Sequence, residues 1–182
     1  MMKQELIVAG FGGQGVLLVG KLIAKAALEE GKEVSWLPSY GPEMRGGTAN
    51  CTVVVSDKPV GSPVVSRPNM LIVMNRPSLD KFESSMMPGG TMLVNSSLIN
   101  VEPKRTDVKI YKLAANDIAV SVGNPKAANM AILGAYVALS KTVTLEQMQH
   151  AVEEQFANKK AVIPGNLAAL KAGYDQVLAA MG

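Results

Sequence analysis

The chain has one cysteine, Cys51, and one histidine, His150, among 182 residues. A single thiol excludes a disulfide within the chain, and any iron–sulfur cluster or zinc site held by several of its own cysteines. One histidine argues against a His-based metal cluster or a Cys–His catalytic pair. Aromatics are scarce too: Trp36, three Phe and four Tyr. A core drawn from the 48% of hydrophobic residues must therefore be aliphatic. Charge is thin, at 18% of residues with a formal net of +3. The basic residues are scattered rather than laid out as a stripe with aromatics, which argues against a nucleic-acid surface. No apolar run approaches the ~20 residues of a membrane span. Lys3 and Glu5 lead straight into a strand, without a signal-peptide pattern. The expectation is one soluble, cytoplasmic domain over residues 1–182, with a substantial core.

Glycine is plentiful where it matters. Residues 6–9 read as a strand buried on both sides, and residues 16–30 as a helix. Between them lie four glycines in six residues, and Gly10, Gly12 and Gly15 fit the G-x-G-x-x-G spacing. Glycine permits positive φ and lets a ligand approach the backbone. The N–H groups and dipole of the following helix favour a phosphate or carboxylate. A tight βα turn in which the glycines only permit close packing accounts for the same residues.

Val16, Val19, Ile23 and Ala27 line one face of that helix, with Lys21, Lys25 and Glu29 on another. Gly31 suits its C′ position. Residues 34–37 read as a second strand, giving the start of a βαβ unit. An NAD site wants an acid at the end of this strand, where the chain has Leu37-Pro38-Ser39-Tyr40 and keeps Glu33 at the wrong end. The octet from Tyr40 to Gly47 follows and includes Glu43, Arg45 and Gly46. In a parallel sheet it falls near the same carboxyl edge as the glycine loop. Arg45 could fork onto a phosphate or carboxylate, or pair with a neighbouring acid.

Residues 48–56 alternate as a strand with Ala49, Cys51, Val53 and Val55 on one face, making Cys51 a small core residue. Further strands are expected at 70–74, 91–95 and 108–113, and a helix at 77–86 opened by Pro77. Asn95-Ser96-Ser97 could meet a ligand at the strand edge or form an ordinary turn. Lys104, Arg105, Lys109 and Lys112 are the one concentration of positive charge, read as a solvated face. Residues 127–139 form an apolar helix, buried or covered by another subunit. Thr144-Leu145-Glu146-Gln147 opens an amphipathic helix with a capping box, Leu145, Met148, Val152 and Phe156 inward and His150 outward. After a break at Pro164-Gly165, a last stripe runs through Leu167, Leu170, Tyr174, Val177 and Met181. Strands alternating with helices predict an α/β fold, a Rossmann-like, open, mostly parallel sheet with helices on both faces.

GFGGQGVLLVGK followed by SYGPEMRGGTANCTVVVSD resembles the gamma subunit of 2-oxoacid:ferredoxin oxidoreductases, especially the 2-oxoglutarate type, within the pyruvate/ketoisovalerate oxidoreductase catalytic-domain family. The likeness continues in GGTMLVNSSLI and GNPKAANMAILGAY and covers nearly the whole chain. Related indolepyruvate oxidoreductase subunits share the glycine loop but usually differ before Arg-Gly-Gly.

That resemblance implies a multi-subunit enzyme converting a 2-oxoacid to acyl-CoA, CO2 and reduced ferredoxin. Thiamine diphosphate, magnesium and iron–sulfur clusters belong in alpha, beta and delta-type partners, and ferredoxin meets the complex. This chain then carries neither catalytic residue nor metal ligand and is inactive alone. It gives structural support and takes part in binding coenzyme A through Gly10, Gly12, Gly13, Gln14, Gly15, Tyr40, Glu43, Arg45, Gly46 and Gly47. A stand-alone nucleotide-binding oxidoreductase and a purely structural subunit remain the alternatives. The apolar helix and eleven methionines suggest a homodimer when isolated.

Overall fold

The computed structural model describes residues 1–39 and 48–182. Six strands form one sheet in the order β2-β3-β1-β4-β5-β6. They are β1 (Lys3–Phe11), β2 (Glu33–Ser39), β3 (Thr48–Ser56), β4 (Met70–Val73), β5 (Thr91–Asn95) and β6 (Lys109–Leu113). Strands β1, β4, β5 and β6 run parallel. Strand β3 is antiparallel to both of its neighbours, so β2 runs in the same sense as β1. The expected βαβ unit forms with β3 inserted between its two strands.

Among the described residues, six α-helices pack on this sheet: α1 (Val16–Glu29), α2 (Arg76–Phe82), α3 (Ala115–Ser121), α4 (Ala128–Ser140), α5 (Leu145–Gln155) and α6 (Ile163–Met181). Alternation along β1 sends Leu6 and Val8 into one aliphatic cluster with α1, α4, α5 and α6. Ile7 and Ala9 enter a second, smaller cluster with Leu79 of α2. Helices therefore cover both faces, unequally.

Helix α1 follows its pattern: Val16, Val19, Ile23 and Ala27 are buried. It ends in a Schellman motif, with Gly31 at φ 83° and the Lys32 N–H donating to the Ala27 carbonyl. Cys51 is fully buried with Val53 and Val55 on the α1 side of β3, and burial pushes its thiol up to about 12.

Several elements differ from expectation. The helix begun by Pro77 stays α-helical only to Phe82 and finishes as a 3-10 turn over Glu83–Ser85. Helix α3 carries no strong apolar period and was not expected. Its second and third N–H groups, on Asn116 and Asp117, donate to Ser97 Oγ at 3.1 and 3.3 Å. Pro164 is no break. It sits in the first turn of α6, where its missing N–H has no intrahelical role. Met181, on the expected inward stripe, is exposed.

The apolar helix α4 is covered by this chain's own α6. A Cβ at Gly134 would stand 1.8 Å from the Leu170 carbonyl oxygen, and one at Gly173 1.9 Å from that of Ala131. Two glycines thus allow backbone-to-backbone contact, and α4 presents no free apolar face on which to found a homodimer. The positive cluster is partly neutralised, Arg105 forking onto Asp107 and Lys112 pairing with Glu102.

Candidate functional site

Parallel strands place the ends of β1, β2, β4, β5 and β6 on one edge of the sheet. Helix α1 leaves β1 on one face and α2 leaves β4 on the other. The crevice outside β1 and β4 is thus a topological switch point, where α/β sheets bind ligands. A cavity of about 360 Å³ lies there, lined by Gly13, Gln14, Met74, Asn116, Pro125, Lys126, Ala128 and Asn129. Lys126 is its only charged lining residue among the described residues.

The glycines divide into two kinds. A Cβ at Gly10 would lie 2.6 Å from Gln14 Oε1, 2.8 Å from Val16 Cγ1 and 2.9 Å from Met74 Cβ. Gly15 has φ 75°, and a Cβ there would lie 2.3 Å from Asn129 Nδ2. Both positions are spent on internal packing. Gly13, at φ 93°, has nothing among the described residues within 4 Å of a built Cβ, and Gly12 is exposed. Only the tip of the loop is open to a ligand.

Gln14 is a strut. Its Oε1 accepts from the Phe11 N–H at 2.5 Å, and its Nε2 donates to the Met74 carbonyl at 3.5 Å. This ties the loop to the end of β4. Helix α1 follows Gly15 with no side-chain cap among the described residues, so its first N–H groups face the loop without a side-chain acceptor among those residues.

The polar run after β5 is structural. Asn95 is fully buried. Its Nδ2 donates to the Met74 carbonyl and to Asn116 Oδ1, while its Oδ1 accepts from the Ala115 and Ser97 N–H groups. That network fixes Asn116 at the rim of the crevice. Sequence reasoning missed Asn116, Lys126 and Asn129 as neighbours of the glycine loop. The GNPKAAN stretch was a signal for Lys126 and Asn129 alone, because the contact joins residues more than a hundred positions apart.

Tyr40, Glu43, Arg45, Gly46 and Gly47 lie outside the described residues. Their flanks are placed: Thr48 pairs with Phe11, and Ser39 with Asn50, itself opposite Ala9. Ser39 and Thr48, the described residues that flank the octet, therefore lie at the edge that carries the glycine loop. Glu33 opens β2 at the far edge, so β2 offers no acid for a ribose at this crevice.

The chain matches the family described as pyruvate ferredoxin/flavodoxin oxidoreductase over residues 5–176. It belongs to that family. Within it, the chain is 42% identical over 169 residues to the ketoisovalerate oxidoreductase subunit VorA of Methanothermobacter marburgensis, an alignment covering 92% of this chain and 35% of VorA. The chain thus spans about a third of that relative's length. It is 35% identical over 177 residues to the 2-oxoglutarate synthase subunit KorC of Methanocaldococcus jannaschii, covering 96% of this chain and 94% of KorC. The crystal structure of a keto/oxoacid ferredoxin oxidoreductase gamma subunit from Geobacter sulfurreducens matches with a TM-score of 0.85 at 31% identity, over 97% of this chain and 99% of that one. The resemblance read from the glycine loop and the octet is borne out at the level of the family and the fold.

Proposed function

We propose that this chain is the gamma subunit of a cytoplasmic 2-oxoacid:ferredoxin oxidoreductase acting on 2-oxoglutarate or ketoisovalerate, and that its crevice takes the diphosphate portion of coenzyme A. The observation that carries the ligand reading is the open tip at Gly12 and Gly13, set beside Lys126 and the uncapped start of α1. Backbone N–H groups, one ammonium and the rim amides of Asn116 and Asn129 suit an anionic, oxygen-rich group. A cavity of about 360 Å³ suits part of a coenzyme rather than all of it. Arg45, from the octet whose flanks Ser39 and Thr48 lie at this edge, adds a second cation to the proposal.

The chain's own residues bind and orient; the chemistry belongs elsewhere. Thiamine diphosphate with its magnesium, and the iron–sulfur clusters, are assigned to partner chains of alpha, beta and delta type, with ferredoxin as acceptor. Cys51 is buried with a raised pKa and does not suit a cluster. In VorA the matching segment is part of a chain about three times as long.

The test is reconstitution with the partner chains, followed by 2-oxoacid- and CoA-dependent reduction of a viologen dye. Lys126→Ala is expected to raise KM for CoA about tenfold, the loss of one charge-assisted contact, with KM for the oxoacid unchanged. Gly13→Ala should act in the same direction. If both leave KM for CoA as it was, the crevice does not bind the coenzyme. A purely structural subunit is the second reading, favoured by the internal packing of Gly10, Gln14 and Gly15. Its mark is impaired assembly with normal CoA kinetics in whatever complex forms.

A further inference from the structure

Away from the crevice, the chain's one histidine joins two carboxylates. His150 and Glu154 stand four residues apart on α5, and Glu29 closes α1 beside them. One ligand atom from each lies within 4.8 Å of the others. His150 Nε2 is 3.3 Å from Glu154 Oε1. Fourteen residues of helix separate Glu29 from the glycine loop, about 20 Å at 1.5 Å per residue. Lys25 now occupies the group, its Nζ 2.5 Å from Glu154 Oε2 and 3.9 Å from Glu29 Oε1.

We propose that Glu29, His150 and Glu154 form a surface site for a divalent transition-metal cation such as Zn²⁺, with Lys25 as the resident cation that the metal displaces. The donor chemistry suits it: one imidazole nitrogen and two carboxylates, with water filling the remaining positions. A zinc ion with ligands at about 2.0–2.2 Å sets its donors roughly 3.4 Å apart. The His150–Glu154 pair has that spacing already, and Glu29, which now accepts from the Gln147 side-chain amide, would turn from it to complete the set. All three side chains are exposed, so the ion can enter without opening the core. Lys25 sits on a flexible four-carbon stem and can swing into solvent, whereas the carboxylates remain. A bound ion would staple the last turn of α1 to α5. The proposal is independent of the coenzyme reading.

The full chain, treated with chelator and dialysed, is titrated with Zn²⁺ by calorimetry, and with Co²⁺ while the single histidine is followed by NMR. Expected are one saturable site, paramagnetic broadening of the His150 ring signals, and a melting temperature higher by about 5–10 °C at a hundredfold excess over Kd. His150→Ala should weaken binding at least tenfold, and Lys25→Met should tighten it. No saturation up to about 1 mM, where binding is worth little, would overturn the proposal. So would an affinity unchanged in His150→Ala, or one no higher in Lys25→Met.

Discussion

The division of the loop glycines into packing and open positions is tested by comparing Gly15→Ala with Gly13→Ala. Both glycines have positive φ, so alanine at either incurs the left-handed penalty of roughly 1–2 kcal/mol, partly offset by the lower entropy of the unfolded chain. At Gly13 nothing among the described residues stands within 4 Å of the new methyl, and the net loss should be about 1 kcal/mol. At Gly15 the methyl would also lie 2.3 Å from Asn129 Nδ2, 3.0 Å from Cγ and 3.3 Å from Cβ. The amide and Cγ can swing about χ1 at the loss of their present contacts, but Cβ cannot retreat without moving α4. That overpacking adds about 1–3 kcal/mol. Gly15→Ala should therefore lose about 2–4 kcal/mol in all, lowering Tm by about 5–15 °C against about 2–4 °C for Gly13→Ala. Urea unfolding of both variants, with Asn129→Ala and Gly15→Ala/Asn129→Ala completing a double-mutant cycle, separates strain from crowding. The double variant should recover about 1–2 kcal/mol of the steric part. Equal losses at Gly13 and Gly15, or a cycle with no coupling, would refute the packing of the loop against α4.

Glu30 joins α1 to α5. Burial raises its carboxyl, but the hydrogen bonds from the Thr144 N–H and hydroxyl, with Lys32 beside it, outweigh this and hold it below the ordinary value of 4.5. A lowered native pKa stabilises above the unfolded pKa, and the contribution is lost as pH falls through the native one. Acid titration of stability should therefore show a decline below about pH 4.5 that is smaller in Glu30→Gln, and Glu30→Ala should lose about 1–2 kcal/mol at neutral pH. Gly173→Ala should lose about 3 kcal/mol or more despite the better helix propensity of alanine, because the Ala131 carbonyl it meets is backbone. A variant as stable as the parent in thermal melts would contradict the α4–α6 contact. Cys51 should resist a water-soluble thiol reagent in native buffer and react stoichiometrically in denaturant. Rapid labelling of the native chain would contradict its burial.

Local rules made much of the architecture legible. The period of two along residues 48–56, the helical stripe from Val16 to Ala27 and the stop at Gly31 are short-range patterns, each satisfied within one element. The capping box at Thr144 shows where such reading ends. Thr144 Oγ1 accepts from the Gln147 N–H at 3.2 Å as the motif predicts. The return bond goes elsewhere: the Thr144 N–H donates to Glu30 Oε1 at 2.9 Å, and the Gln147 amide donates to Glu29. A partner from another helix took a role that the motif assigns to a neighbour.

The sequence by itself determined an aliphatic α/β chain, a glycine loop between its first strand and helix, and a family, because the octet and its spacing are a linear signature. The tertiary structure alone decided that β3 inserts between β1 and β2, that α6 covers α4, and that Gly10 and Gly15 serve packing while Gly12 and Gly13 stay open. It also decided that Lys126, Asn116 and Asn129 share one crevice. These are matters of which surfaces meet, and contacts between residues a hundred positions apart leave no local periodicity from which to read them.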